Sequence, residues 1–303
     1  MSFAAGAVPD GRAPRTSVII PTYNRSAYLR EAVNSVLSQT RPALEVIVVD
    51  DGSTDDTLRV ISSYGQSVRC VSQANRGVSA ARNSGIAAAR GDYVAFLDAD
   101  DSWTPDKLQR VHDVLAADPA LDAVCHDVDV VAPDGAVTGS RAYRLDERDP
   151  YTQLLYRGNF LTTSAMTVRR DVLEREGGFD ERRDWVTTED FDLWLRIARD
   201  GGRFAIVPET LGRYLVHPGG ASANLVRHYD NTLAMLDTHW VALAEKGGLD
   251  EKAALWRRMR SRLAEVRDLT RRGEAGEASK VLAALPAERA AAAARYREAA
   301  ARG

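Results

Sequence analysis

Residues Leu44–Val49 (LEVIVV) form an apolar run too short for a helix and without the alternation of a half-solvated strand, so they read as a parallel strand covered on both faces. Such a strand needs helices above and below it and neighbours joined by crossovers. The flanking sequence supplies both. Ser17–Ile20 reads as a buried strand stopped by Pro21, with Thr22, Tyr23 and Asn24 at its exit. Leu29, Ala32, Val33, Val36 and Leu37 then recur at helical spacing, which predicts one buried helix face. After Val49 the chain runs into Asp50-Asp51-Gly52-Ser53, where Ser53 is expected to cap a helix with Asp56 three residues on, Leu58 and Ile61 carrying its apolar face. Strand Val68–Val71, a helix over Ser79–Ala89 stopped by Gly91, and strand Tyr93–Leu97 extend the alternation to Asp98.

These spacings predict an α/β fold, a doubly wound and mostly parallel sheet with flanking helices. In such sheets ligands sit outside the carboxyl ends of the strands. Each of those ends is polar here: Thr22 and Tyr23, then Asp50 and Asp51, then Asp98 and Asp100. From Pro105 a helix with Leu108, Val111 and Leu115 leads to strand Ala123–Asp129 and a Pro133-Asp134-Gly135 turn. Thr162–Val168 is expected as a further strand, and Asp190–Asp200 as a helix closed by Gly201-Gly202. No Gly/Ser/Pro linker divides the two halves, so residues 17–222 are taken as one unit after a flexible leader, 1–16. Residues 223–303, rich in Ala, Arg, Glu and Leu, are expected as a C-terminal helical extension.

Charge narrows the partners. The 40 Lys and Arg against 43 Asp and Glu lack the general basic field of a nucleic-acid binder. Residues 221–303 alone hold 15 Lys and Arg against 11 Asp and Glu, which leaves two readings: a solvated helical lid, or a basic surface for anionic lipid or a protein partner. Cys70 and Cys125 stand far apart with no CxxC or Cys/His cluster, so the expected setting is reducing and cytoplasmic, peripheral to a membrane at most.

Asp98-Ala99-Asp100 places two carboxylates at i and i+2 directly after a strand, on one side of an extended chain. Hard oxygen ligands so placed suit Mg²⁺ or Mn²⁺ shared with a ligand's phosphates; the competing reading is an exposed acidic loop capping the next helix. Asp50-Asp51 arrive by the same geometry. One of them can accept from a base or ribose, and ordinary helix capping explains one aspartate but not both. No GxGxxG or GxxxxGK[ST] loop is present, which disfavours a dinucleotide or P-loop site.

Taken together, SVIIPTYNR (17–25), VVDDGSTDDT (48–57), NRGVSAARNSG (75–85), FLDADD (96–101), GGFDE (177–181), TEDFDLWLR (188–196) and YLVHPGGAS (214–222) closely resemble the family 2 glycosyltransferases of GT-A fold. The resemblance implies inverting transfer of a sugar from a nucleotide-sugar donor, UDP by default with GDP and dTDP open, to an acceptor hydroxyl on a carbohydrate, a lipid-linked sugar or a small molecule. It divides residues 17–222 into a nucleotide-binding half, 17–101, and an acceptor half, 102–222. Pro21, Thr22, Tyr23 and Asp51 match positions that contact the base, Arg76 lies in a segment that approaches the donor, and Asp98 falls near the ribose and diphosphate. Asp100 matches the aspartate that binds the divalent cation, Mn²⁺ or Mg²⁺. His217 would complete the metal or diphosphate shell, in a stretch where this chain carries Leu215 in place of a frequent arginine.

Asp190 matches the catalytic base, which must act on the face of the anomeric carbon opposite the leaving diphosphate. Glu189 either orients the acceptor or caps the helix. Among the tryptophans, Trp185 in a polar loop is the expected acceptor platform, Trp194 sits at core spacing with Phe191 and Ile197, and Trp103 can be either. His112 and His126 have no partner pattern and read as structural. Two other classes remain, a sugar nucleotidyltransferase, which the missing Gly-rich basic loop disfavours, and a non-catalytic nucleotide-sugar-binding module.

Overall fold

A computed structural model describes residues 13–145, 148–159, 161–182, 186–217, 225–245, 250–274, 276–278 and 280–281. The first half alternates as the apolar runs require: β1 (Thr16–Thr22), α1 (Leu29–Leu37), β2 (Glu45–Asp50), α2 (Thr57–Ser62), β3 (Arg69–Ser72), α3 (Val78–Ala88) and β4 (Tyr93–Phe96). β1 pairs in parallel with both β2 and β4, and β2 with β3. Ile19, Ile47, Val49, Val94 and Phe96 face one apolar cluster while Val18, Ile20, Val46, Val48 and Ala95 face another, so alternate side chains of each strand are buried on opposite faces.

The second half runs β5 (Ser102–Trp103), α4 (Lys107–Ala117), β6 (Ala123–Val131), β7 (Val137–Arg141), α5 (Pro150–Arg157), β8 (Thr167–Arg169), α6 (Arg170–Arg175), α7 (Glu189–Arg199) and β9 (Phe204–Leu215). Among the described residues the sheet has nine strands in the order β3-β2-β1-β4-β8-β6-β9-β5, with β7 beside β6. β8 runs antiparallel to β4 and β6, and β5 antiparallel to β9, so six of the nine strands share a direction. Two long helices follow, α8 (Leu225–Glu245) and α9 (Asp250–Arg271). No described helix is long and apolar enough to cross a membrane.

Several local expectations are corrected. Thr162–Val168 is a short 3₁₀ turn, Thr163–Ala165, followed by the three-residue β8. Ser53 does not cap α2. Its hydroxyl accepts from the Asn24 amide at 2.9 Å, and Asp55 accepts from the Thr57 amide instead. α2 buries Thr57, Val60 and Ile61, leaving Leu58 a hundred degrees off that stripe and 42% exposed. Leu37, at the last position of α1 and the edge of its stripe, is 43% exposed. Gly91 is needed for close backbone approach and not as a helix stop, since a Cβ there would lie 2.6 Å from the Ser17 amide nitrogen.

His112 and His126 are buried, the first against the Thr16 hydroxyl at 2.8 Å and the second against the Asp127 carbonyl at 2.9 Å. Trp103 is a core residue, its indole N–H donating to the Ser164 carbonyl at 2.7 Å. Trp194 is fully buried.

Candidate active site

The strand order sets the C-terminal ends of β2, β1 and β4 side by side, which brings the polar exits predicted at Asp51, Thr22 and Asp98 to one edge. Pro21 and Thr22 are buried at the end of β1, the Thr22 hydroxyl lacking a partner, and Tyr23 beyond them is 46% exposed. The Asp51 amide donates to the Thr22 carbonyl at 2.9 Å. Its buried carboxylate takes Gln73 Nε2 and the Arg76 amide on Oδ1, at 2.8 and 2.9 Å, and the Gly77 amide on Oδ2 at 2.8 Å. Asp51 therefore fixes the loop leading into α3. Gly52 lets that loop close, because it holds φ +80° and a Cβ there would meet the Asn75 amide nitrogen at 2.9 Å. The Arg76 side chain is exposed and pairs with Glu181 at 2.5 Å.

Beyond β4, Asp98 and Asp100 diverge. Asp98 is held by Arg82 at 2.7 Å. Asp100 Oδ2 lies 3.0 Å from His217 Nε2 and 3.9 Å from Arg25 Nε. The His217 ring rests on Tyr28, centroids 4.9 Å apart. Asp101, buried between them, accepts the Ser164 hydroxyl at 2.5 Å and the Leu215 amide at 2.9 Å, so it ties the end of β9, and with it His217, to the Asp98–Asp101 turn. Burial, with Asp98 and Asp100 adding repulsion, pushes the Asp101 carboxyl well above its ordinary pKa.

Glu189 and Asp190 stand at the first turn of α7. Asp190 is half-buried, with Oδ2 accepting the Thr163 hydroxyl at 2.8 Å and Oδ1 accepting Asn159 Nδ2 at 3.0 Å and the Phe191 amide at 2.7 Å. Burial and the neighbouring Glu189 charge raise its pKa to about 6, against the opposing pull of Arg82 and Thr163. Glu189 is buried and receives Arg82 Nη1 at 2.7 Å, while its other oxygen has no partner. It is thus neither a simple solvent-facing cap nor free. Trp185 lies outside the described residues.

Arg82 is the residue that pattern reading missed. It projects from α3 over the Phe179 ring, 5.1 Å from its centroid, and joins Asp98 to Glu189. Burial works against its charge, but the Asp98 and Glu189 carboxylates outweigh that and raise its pKa above the ordinary arginine value. No spacing in the sequence marks it, since its partners Asp98 and Glu189 lie 16 and 107 positions away.

Among the described residues no group of three or more His, Cys, Asp or Glu side chains converges as a metal site. Asp100 and His217 supply one carboxylate oxygen and one imidazole nitrogen in contact with each other. That donor set fits Mn²⁺ or Mg²⁺ only where phosphate oxygens and water complete the shell, which is how such ions are commonly held beside nucleotides.

The sequence model described as "Glycosyl transferase family 2" matches residues 17–177. An uncharacterized glycosyltransferase from Nostoc sp. is 36% identical over 213 residues, covering 67% of this chain and 65% of the relative. The chondroitin synthase of Pasteurella multocida is 33% identical over 233 residues, covering 75% of this chain and 22% of the synthase. The first three curated relatives are themselves longer, and the chain spans 65%, 31% and 59% of their lengths. Among solved structures, TarS from S. aureus in complex with UDP-GlcNAc aligns over 84% of this chain and 73% of its own, with TM-score 0.63 and 19% identity. The mannosyltransferase PcManGT from Pyrobaculum calidifontis, in complex with GDP-Man and Mn²⁺, aligns over 99% and 83%, with TM-score 0.57 and 25% identity. With the family model covering more than half of its length and its sheet built on that architecture, the chain belongs to glycosyl transferase family 2 and has the GT-A fold.

Proposed function

We propose that this chain is an inverting glycosyltransferase that moves a sugar from a nucleoside-diphosphate sugar to an acceptor hydroxyl. The observation that carries the reading is the Asp190 carboxylate, held by Thr163 and Asn159 with its pKa raised to about 6 and linked through Glu189, Arg82 and Asp98 to the strand edge where nucleotides bind in such sheets. A base poised near neutrality accepts a proton better than an ordinary aspartate and stays ionised at pH 7. In a single displacement the acceptor oxygen bonds to the anomeric carbon, the bond to the β-phosphate oxygen breaks, and the nucleoside diphosphate leaves with that electron pair. The acceptor's proton passes to Asp190.

Tyr23, exposed at the end of β1, is suited to stack on the base, with Pro21, Thr22 and Asp51 shaping the pocket beside it and Arg76 at its rim. Asp98, steadied by Arg82, would accept from the ribose. Asp100 and His217 would hold the divalent ion, whose charge offsets that of the leaving diphosphate when bound. Glu189 would orient the acceptor through its unpartnered oxygen, with Trp185 as the sugar platform. UDP is the proposed nucleotide, residues 17–222 the catalytic unit, 1–16 a leader and 223–303 the extension.

The free cysteines Cys70 and Cys125 support a reducing, cytoplasmic setting. A lipid-facing role for the extension rests on its basic composition. Its described arginines Arg260, Arg267 and Arg271, however, pair with Asp237 and Asp230 of α8.

The test is a calorimetric screen of UDP, GDP and dTDP with and without Mn²⁺, followed by incubation of the matching nucleotide sugars with acceptor mixtures. Selective binding of one nucleotide and a product of inverted anomeric configuration are expected. Binding without any transfer or donor turnover would favour the non-catalytic module, and pyrophosphate release from a nucleoside triphosphate the nucleotidyltransferase.

A further inference from the structure

Helix α8 lies beyond the residues that the family model matches, yet its polar side chains are aimed at the turn that delivers Asp190. His228, Asn231 and His239 fall at i, i+3 and i+11, on one face of the helix. All three engage residues 186–192. His228 Nδ1 lies 3.0 Å from the Thr187 hydroxyl, Asn231 Nδ2 donates to the Val186 carbonyl at 2.7 Å, and His239 Nε2 meets Asp192 Oδ1 at 2.9 Å inside the protein. Asp192 in turn takes Arg196 Nε at 2.8 Å on its other oxygen. Tyr229, Leu233, Met235 and Leu236 of α8 share one apolar cluster with Phe191, Leu193 and Trp194, so the anchors are set on a packed interface.

The turn they grip is strained. Thr187 holds φ +80°, a left-handed conformation that a β-branched residue adopts at a cost of about 1–3 kcal/mol and keeps only where its surroundings enforce it. Three residues later stands the candidate base. The Thr187 conformation sets the angle at which Glu189 and Asp190 enter α7, and with it their reach to Arg82, Thr163 and Asn159. Burial lowers the His228 pKa, so the ring stays neutral at pH 7 and adds no charge beside Glu189.

We infer that α8 is a working part of the active site, in which His228 and Asn231 act as positioning residues that hold the Val186–Thr187 turn and thereby fix Asp190. This rests on the assignment of Asp190 as the base. The extension is then neither a separate appendage nor only a surface element.

The experiment uses the full chain with H228A, N231A and H228N, the last keeping a polar nitrogen near the position of Nδ1. Hydrogen exchange of the 186–192 amides is expected to rise at least tenfold in H228A and N231A, while the 93–101 amides stay protected. Affinity for the nucleoside diphosphate with Mn²⁺ should be unchanged. Donor turnover, to acceptor or to water, should fall in kcat by about 10- to 100-fold, the loss typical of a misplaced catalytic group. H228N should recover most of both losses. Unaltered exchange at 186–192, a uniform rise across the chain, or nucleotide affinity falling in step with kcat would each overturn the inference. If H228A fails to fold, N231A and H228N decide it. Were the wild-type chain to turn over no nucleotide sugar, the enzymatic reading would fail, while the exchange measurement would still decide whether α8 holds the turn.

Discussion

Arg82 donates to Glu189 at 2.7 Å across 107 positions of sequence, with both side chains almost wholly buried. Its other terminal nitrogen is given to Asp98 at the same distance, so α3 serves as the strut between the turn after β4 and the first turn of α7. Arg82→Met removes the cation that these two carboxylates share. A broken buried pair costs about 3–5 kcal/mol, reduced here because Asp98 keeps some solvent. Urea unfolding should show that loss. Arg82→Lys keeps the charge but cannot reach two carboxylates in a planar fork, and should fall between the two.

Asp190→Asn separates function from stability. Transfer should drop by about 10²–10⁴-fold, as for loss of a general base, while calorimetry finds nucleotide affinity nearly unchanged. Stability should move the other way. A carboxyl whose folded pKa is raised binds its proton more tightly when folded, so the fold weakens as pH climbs from 3.8 to about 6 and stays weakened above. At pH 7 the asparagine variant is expected to be more stable by about 1–2 kcal/mol, and at pH 3.5 the difference should vanish.

The same pKa predicts the acid limb of the rate. With saturating donor, kcat should fall tenfold per unit below pH 6 as Asp190 gains its proton. Glu189→Gln removes a charge that holds that pKa up, so the limb should move to lower pH even if the maximum rate falls. A limb that stays in place would show that another group titrates.

The parts of this site that sequence made visible are those where one residue type at one strand end has a single geometric consequence. The run Leu44–Val49 could only hold an inner strand, which lies one residue on at Glu45–Asp50 with Leu44 left exposed, and the acids at its end could only reach the sheet's C-terminal edge. Arg82 was hidden because a buried arginine in a helix has the same spacing as a solvated one, and only its partners, 16 and 107 positions away, distinguish the two. His228 and Asn231 were hidden likewise in a helix with little patterning. The antiparallel insertion of β8 between β4 and β6 was not readable either, since three residues carry no period.

Asp100→Ala and His217→Ala test the ion. Each removes one of the two proposed protein donors, so Mn²⁺-dependent enhancement of nucleoside diphosphate binding should shrink in both, and binding measured without metal should change little. Because Asp100 also faces Arg25, its loss removes a negative charge beside that guanidinium. The alanine at 100 should therefore weaken metal response more than metal-free affinity, whereas equal losses in the two would assign Asp100 to the nucleotide itself.

Lys107 is fully buried, its ammonium nitrogen 3.7 Å from the centre of the Trp103 ring and 3.0 Å from the Thr167 hydroxyl. Burial pushes its pKa down to about 7, with only a weak opposing effect from Cys125. A lysine so depressed binds its proton less tightly when folded, so the fold loses stability as pH falls from 10.5 towards 7 and no more below. Lys107→Met fills similar volume without a charge. It forfeits the Thr167 hydrogen bond, about 1 kcal/mol, while the attraction to the Trp103 ring exists only for the charged form and is already contained in the lowered pKa. The proton penalty it escapes is larger, several kcal/mol at pH 7. The variant is therefore expected to melt higher than the wild type at pH 7 and slightly lower above pH 10.5, where the lysine is neutral in both states and only the lost hydrogen bond to Thr167 remains. Paired melting curves across that range check it, and an advantage that does not shrink with rising pH would mean that Lys107 keeps its charge in the fold.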